Sequence, residues 1–384
     1  MKSSKVIEIN KLVTGRRRMK KIVCFLIMFS MVFLVSCKEK TEFTGVAEGV
    51  RYSETYQICT ATKEGVFYKG SNDMVHFRPV AAREDMILCY DPNCVHEPAT
   101  DANPDPTCKG ALFNGAYTNI AYYEGYIYYS VMDNVFEHDL YKMKVGGSGR
   151  EYIATLPYRP DFLSGVVFYE DYMYYMVVEN VRNEEKGKLE GTYYIVEFDL
   201  LNNDYRIVSD GFTDYLSGLQ VTKDYVYLWM ADASKNNGLF MKRVHKDTCE
   251  PEIFISVEDY KTHRSLAIYD DYYFYYDGHG EVGIKYFESG ESEVLIDKDC
   301  AIIPDDSLGN GLFYRTVTDD GMTVTGGFFY DLITGETLDI TEKTLELDIR
   351  SYDGYEGIFI CGVLHSTFVV PEEEILATGK VVSE

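Results

Sequence analysis

The sequence lacks the short motifs that mark the commonest catalytic sites. It contains no G-x-S-x-G nucleophile turn, no H-E-x-x-H zinc-binding helix and no G-x-x-x-x-G-K-[ST] phosphate loop. The seven histidines stand singly along the chain, and the many carboxylates show no spacing that singles out one pair. These absences argue against an α/β-hydrolase, a zincin protease and a P-loop nucleotide hydrolase, and we predict no catalytic residue.

The chain has no apolar run of ordinary transmembrane length. The run that follows Lys20 and Lys21 covers residues 22–35, which is 14 residues without a charge. At ~1.5 Å per residue it would span ~21 Å, whereas the hydrocarbon core of a bilayer is ~30 Å thick. A basic segment followed by a short apolar run is typical of a secretory signal peptide, and a single retained helix is the alternative.

The end of this segment, Leu34-Val35-Ser36-Cys37, resembles the lipobox of bacterial lipoproteins. The resemblance implies cleavage before Cys37 and attachment of a diacylglycerol to its sulfur. We therefore expect residues 1–36 to be a lipoprotein signal peptide, of which 1–18 are either an over-extended start or a long basic region. Residues 37–50 would be the lipidated cysteine and a polar tether, and the protein would lie on the outer face of a bacterial cell membrane.

Basic residues are scarce beyond the signal peptide. Residues 1–36 hold eight of the 37 Lys/Arg and one of the 62 Asp/Glu, so residues 37–384 carry 29 and 61, a net charge of −32. A surface of this sign repels phosphate backbones and anionic lipid headgroups. We expect no nucleic-acid partner, and we expect acyl chains rather than a basic patch to hold the protein at the membrane.

Tryptophan is nearly absent, with one residue against 34 tyrosines and 21 phenylalanines. The tyrosines recur in one sequence motif, which consists of an apolar strand, a two-residue polar turn and an aromatic strand. Clear copies occupy 121–129, 167–175, 221–227 and 268–276, and weaker ones 64–68, 310–314 and 356–360. We place the second turn residue at 65, 125, 171, 224, 271, 311 and 357, at intervals of 40 to 60 residues. Periods of this size indicate a repeat architecture.

A second strand-like motif follows most of these turns, as at 139–145 and 194–200. It leads through a Gly- or Asn-rich turn into another strand. Each repeat therefore contains four consecutive antiparallel strands and no long amphipathic helix. One such sheet cannot cover both of its apolar faces, whereas a closed ring of sheets covers them and leaves only short edges. We predict an all-β fold, a seven-bladed β-propeller of four-stranded antiparallel blades over 51–384. Six or eight blades, a β-sandwich pair and an open solenoid are the alternatives.

The pattern Tyr-x-Tyr-Tyr followed by Leu-Tyr-Lys-x-x-x-Gly-Gly is clearest within 121–156. It resembles the TolB-like propellers, and especially the propeller lipoproteins of Gram-positive bacteria. The resemblance implies an exported, anchored propeller. It implies no reaction, because one fold serves many functions.

An insertion at 89–108 interrupts the repeat and makes its first interval the longest. Its cysteines and histidine have the spacing C-x4-C-x-H-x11-C, formed by Cys89, Cys94, His96 and Cys108. Three thiols and one imidazole can form a tetrahedral structural zinc site. In an exported chain, a disulfide from Cys94 to Cys89 or to Cys108 is favoured over the metal site, and free thiols are the third possibility. No other cofactor is predicted.

Three functions fit this sequence. The first is a membrane-anchored lipoprotein whose propeller binds a protein or a cell-envelope glycan without catalysis. The alternative is a propeller glycoside hydrolase or polysaccharide lyase that acts outside the cell, with its residues around the axial channel. The third, suggested by the TolB resemblance, is a structural or sensor component of a larger envelope complex.

Overall fold

The computed structural model describes most of the chain beyond the predicted tether. The described residues are 52–54, 59–70, 73–80, 82, 84–89, 91–104, 106–112, 116–132, 138–145, 149–156, 166–183, 188–213, 215–232, 238–261, 264–305, 309–354, 356–362 and 367–382. The predicted signal peptide, Cys37 and the tether lie outside them. Within the described part, no helix is long and apolar enough to cross a membrane.

The described strands form seven antiparallel sheets, which are the blades of a β-propeller, so the predicted fold class is confirmed. A short strand, β1 (Tyr52–Glu54), precedes the first blade. Blade 1 consists of β2 (Cys59–Thr62), β3 (Gly65–Lys69), β4 (Val75–Pro79) and β5 (Met86–Ile87). Blade 2 consists of β6 (Ala116–Tyr123), β7 (Tyr126–Met132), β8 (His138–Lys144) and β9 (Glu151–Leu156).

Blades 3 to 5 continue the same pattern. Blade 3 contains β10 (Val166–Tyr169), β11 (Tyr172–Asn183), β12 (Lys188–Asp199) and β13 (Asp204–Ile207). Blade 4 contains β14 (Tyr215–Val221), β15 (Tyr225–Asp232), β16 (Gly238–His245) and β17 (Pro251–Ile255), followed by a 3-10 turn at Asp259–Lys261. Blade 5 contains β18 (Arg264–Ile268), β19 (Tyr272–Tyr276), β20 (Glu281–Tyr286) and β21 (Ser292–Asp297).

Blades 6 and 7 depart from the pattern near the chain end. Blade 6 contains β22 (Ile302–Pro304), β23 (Gly311–Val317), β24 (Val324–Asp331) and β25 (Thr337–Asp339), and helix α1 (Thr341–Leu347) follows. Blade 7 contains β26 (Ile349–Asp353), β27 (Ile358–Cys361) and β28 (Phe368–Pro371). The chain then forms helix α2 (Glu372–Leu376) and strand β29 (Lys380–Val381), which pairs with β25 of blade 6.

The number of described strands varies around the confirmed ring of blades. Four strands form blades 1, 2, 4 and 5, but β1 joins blade 3 and β29 joins blade 6, which gives each five described strands. Blade 7 keeps three described strands, because the chain after β28 turns into α2 and crosses to blade 6. Two turn positions also shift, since Gly65 and Gly311 are the first residues of β3 and β23 rather than turn residues.

The first and last strands of blade 3 differ in burial. All four residues of β10 are buried, whereas the last strand of the same blade, β13, is mostly exposed. Strand β1 pairs antiparallel with β10 on the side away from β11, with Tyr52 opposite Tyr169. The chain therefore contributes a strand to blade 3 before it reaches blade 1.

One backbone hydrogen bond recurs in all seven blades. The residue directly after the third strand donates its N–H to the carbonyl of the residue directly before the second strand. The seven donors are Val80, Val145, Leu200, Lys246, Phe287, Leu332 and Glu372, with N···O distances of 2.9 to 3.1 Å. This bond makes the seven positions structurally equivalent.

Side chains close the ring between blade 7 and blade 1. Val66 and Tyr68 of β3 pack in one buried cluster with Ile358, Ile360 and Val369 of blade 7. The buried guanidinium of Arg78 donates to the carbonyl of Thr367, and the Lys63 amide donates to Glu356 Oε2 at 2.8 Å. Within the described residues, blades 1 and 7 share no strand, so packing and these bonds form the seam.

Candidate metal centre

The insertion at 89–108 sits between the outer strand of blade 1 and the inner strand of blade 2. It leaves the propeller directly after β5 and returns where Ala111 bridges Met74, next to the start of β4. Two further bonds fix the return: Val75 N–H donates to Gly110 O at 2.7 Å, and Leu112 N–H to Asp73 O at 3.1 Å. Both ends of the loop are therefore held on blade 1.

The four predicted site residues meet at one point. The Sγ atoms of Cys89, Cys94 and Cys108 and a ring nitrogen of His96 all lie within 4.8 Å of one another. His96 Nδ1 lies 3.6 Å from Cys108 Sγ. An ion with bonds of about 2.3 Å to sulfur and 2.0–2.1 Å to nitrogen holds such tetrahedral ligands ~3.6–3.8 Å apart. The set thus has the donor types and nearly the spacing of a Cys3His zinc site, with Nδ1 as the imidazole ligand.

Backbone amides point at all three sulfurs. The amide two residues after each cysteine donates to its sulfur: Asp91 to Cys89, His96 to Cys94 at 3.4 Å, and Gly110 to Cys108. Hydrogen bonds of this kind stabilise a thiolate more than a thiol and orient metal ligands. His96 reaches this position with a φ of 54°, a left-handed conformation that turns the chain between Cys94 and the imidazole.

The thiols differ in burial and in pKa. Burial raises the pKa of Cys108 to about 12; the Gly110 amide opposes this rise, and the neighbouring Cys94 and Cys89 add to it. Burial also acts to raise the pKa of Cys89, but the amides of Asp91 and Lys109 and the two other thiols outweigh it and lower that pKa. Without an ion, Cys89 therefore loses its proton at a lower pH than Cys108, and a bound divalent cation would supply the charge that stabilises three thiolates.

The insertion also joins blade 1 to blade 2. Arg150, directly before β9 of blade 2, donates from Nη1 to Ala111 O at 3.1 Å and from Nη2 to Pro106 O. Both acceptors flank Cys108, which is almost fully buried with Met74 and Ala111. A displacement of the Cys/His cluster would therefore alter the contacts between blades 1 and 2.

The other cysteines considered in the sequence lie away from the cluster or outside the described residues. Cys37, the predicted lipidation site, is outside the described residues. Cys361 is fully buried in β27, as expected for a core cysteine, while Cys249 and Cys300 are partly exposed and far along the chain from the cluster. Sequence reasoning missed the amide–sulfur bonds, for which the spacing C-x4-C-x-H carried no indication.

No protein-family model matches the chain, and no curated protein matches it. Solved structures with a similar fold include an oligogalacturonate lyase in complex with manganese, with a TM-score of 0.47 and 10% identity over 85% of this chain and 92% of that one. An oligogalacturonate lyase from Vibrio parahaemolyticus has a TM-score of 0.44 and 10% identity over 84% and 91% of the two chains. A protein described as TolB from Agrobacterium tumefaciens has a TM-score of 0.33 and 10% identity, with 66% and 91% covered. Likeness at these identities concerns the fold alone.

Proposed function

We propose that this protein binds one zinc ion through Cys89, Cys94, His96 and Cys108, and that the ion has a structural role. The observation that supports the proposal is the convergence of three thiols and one imidazole within 4.8 Å. Four protein ligands complete a tetrahedral shell and leave no open position for a substrate. The ion would hold the insertion on blade 1 and would do there what a hydrophobic core does in a larger domain.

Two observations favour an ion over a disulfide at this place. A disulfide joins two cysteines, yet the fold brings together a third thiol and an imidazole, and an amide points at each sulfur. The described part of the insertion forms an isolated bridge between Thr100 and Asn103 but no strand or helix. Loops of this kind are ordered by a metal or a covalent link, and these donors suit the metal.

Metal analysis of the purified full-length protein tests this proposal. We expect one equivalent of zinc per chain, and sulfur-to-metal charge-transfer absorption after exchange with cobalt, since thiolates would bind the ion. Cys94→Ser should lose the equivalent, and Cys249→Ser, which changes a thiol outside the cluster, should keep it. A zinc-free chain whose intact mass is lower by two hydrogens would instead identify the disulfide.

We further propose that the propeller is anchored by a lipid on Cys37 at the outer face of a bacterial membrane. The lipobox-like Leu34-Val35-Ser36-Cys37 and the net charge of −32 beyond it support an exported, acyl-anchored protein. There the propeller would bind a protein or a cell-envelope glycan.

Membrane fractionation in a bacterial host tests the anchor. The full-length chain should reach the membrane fraction in an acylated form, and Cys37→Ala should accumulate uncleaved, because the lipid is added to that sulfur. Cys249→Ala is the matched control and should behave like the unchanged chain. A cleaved protein with an unmodified Cys37 thiol would contradict the anchor.

Cross-linking on intact cells tests the partner. The anchored chain should yield a reproducible cross-linked protein or glycan, whereas cell-free assays with acidic and neutral polysaccharides should give no chain cleavage. Cleavage of a polysaccharide would favour the alternative hydrolase or lyase over a binding role.

A further inference from the structure

Lys246 occupies a position at which the fold otherwise places apolar residues. Among the seven equivalent donors that follow the third strands, five are Val, Leu or Phe, and only Lys246 and Glu372 are charged. Glu372 has a partner, because the hydroxyl of Tyr352 donates to its Oε2 at 2.7 Å. Blade 4 therefore carries a lysine where packing alone would select a hydrocarbon side chain.

The Lys246 side chain lies against two tyrosine rings in the crevice between blades 3 and 4. It is 7% exposed. Its Nζ lies 4.5 Å from the ring centroid of Tyr169 and 4.8 Å from that of Tyr174. Within the described residues this ammonium makes no hydrogen bond and no ion pair, whereas the similarly buried Arg78 has both. The rings are its direct contacts, and they do not accept a full hydrogen bond.

The nearest carboxylates are either occupied or more distant. Glu197 is already engaged, since Tyr174 donates to its Oε2 at 2.7 Å and Arg206 Nε to its Oε1 at 2.5 Å. Glu170 and Asp270 lie in exposed turns and act on Lys246 through space. Burial is the main influence: it lowers the pKa of Lys246 to about 8, although Glu197, Glu170 and Asp270 oppose the fall.

The end of the side chain lies just below one face of the propeller. Glu170 and Asp270 belong to the turns between the first and second strands of blades 3 and 5, and both are exposed. Tyr169 ends the inner strand β10, and Tyr174 lies in the neighbouring strand β11. The amine is thus held next to the surface between two aromatic rings.

We propose that Lys246 is a nucleophilic amine that condenses with a small neutral aldehyde, such as the open-chain form of an aldose. The amine nitrogen adds to the carbonyl carbon to give a carbinolamine, and loss of water from it leaves an imine, C=N. The amine gives up two hydrogens and the carbonyl its oxygen, so water is the sole by-product. Desolvation in an aromatic crevice is a known means of activating a lysine for this chemistry. A neutral aldehyde suits the site because Glu197, Glu170 and Asp270 repel an anionic one.

Reductive trapping on the full-length protein tests the proposal. Glyceraldehyde and cyanoborohydride at pH 8 convert an imine into a stable secondary amine that peptide mass spectrometry locates. At this pH roughly half of an amine with a pKa near 8 is neutral, against about 0.3% for an ordinary lysine. We expect Lys246 to be labelled at least tenfold faster than the exposed Lys144 and Lys380, and glyoxylate, an anionic aldehyde, to label it more slowly than glyceraldehyde does.

The comparison among lysines within one chain needs no variant, so a folding defect cannot obscure it. The proposal would be overturned if Lys246 in the folded protein were labelled no faster than Lys144. It would also be overturned if Lys246 were labelled faster than Lys144 by the same factor in urea, where the fold around Lys246 is lost. Lys246→Met, which restores an apolar side chain at this position, should remove the fast-labelled site and leave the slow labelling of Lys144 unchanged. Because the test does not involve zinc or the membrane, it is independent of the proposed metal site and anchor.

Discussion

If the proposed zinc ion is bound, Cys108→Ser should release it and destabilise the protein by about 4 kcal/mol, compared with the unchanged chain in buffer that holds free zinc a thousandfold above its dissociation constant. The reason is that an ion bound only by the folded state contributes its binding free energy to folding. Cys108 is the most buried ligand, and its loop is bonded both to β4 and to Arg150. Urea unfolding followed by circular dichroism would measure the loss.

Cys300→Ser is the matched control, because it changes a partly exposed thiol outside the cluster. It should unfold at nearly the same urea concentration as the unchanged chain, with or without a chelator. The chelator should lower the stability of the unchanged chain to that of Cys108→Ser and leave Cys108→Ser unaffected. Equal loss in the two serine variants, or no effect of the chelator, would contradict a structural ion.

Ile358→Ala should destabilise the propeller by about 2–5 kcal/mol, the usual cost of truncating a buried isoleucine to alanine. Ile358 is 1% exposed and packs across the seam against Val66 and Tyr68 of blade 1. Since no described strand is shared across this seam, its packing carries most of the closure. Thermal or urea unfolding of the purified variant measures the change.

Ile303→Ala makes the same chemical change in β22, where the side chain is 38% exposed. Little apolar contact is lost there, so we expect a much smaller loss of stability. Hydrogen exchange adds a local measurement, in which Ile358→Ala should speed exchange first in β3 and β28. Equal losses in the two variants would mean that the seam is no more critical than the rest of the ring.

The repeat was predictable because tight turns and alternating aromatic strands are local features that the sequence displays directly. The motifs around Gly125 and Asp171 mark hairpins in blades 2 and 3. The departures at blade 7 and at β1 were not predictable, because they depend on which sheet edge a short strand meets, and strands of two or three residues carry little pattern. The two shifted turns have the same cause, since a glycine next to a turn is indistinguishable from one within it.

The membership of the Cys/His cluster was predictable, whereas the distances between its side chains were not. Spacing places Cys89, Cys94, His96 and Cys108 in one loop, but it does not give the distances between their side chains. The choice between an ion and a disulfide depends on where three amides point and on how deeply Cys108 is buried. The sequence does not single out Lys246 for a similar reason: its position is unusual only by comparison with the six equivalent residues, and that equivalence rests on a tertiary hydrogen bond.

The pairing of β1 with blade 3 determines how the molecule would respond to mechanical load. Tension applied through the amino-terminal end would reach β1 first, and β1 is held to β10 by a register of three residue pairs. So short a ladder yields at low force, and its release would lengthen the connection to β2 while the seven blades stay folded. Strand β1 would then act as an extensible link that protects the seam between blades 1 and 7 from strain.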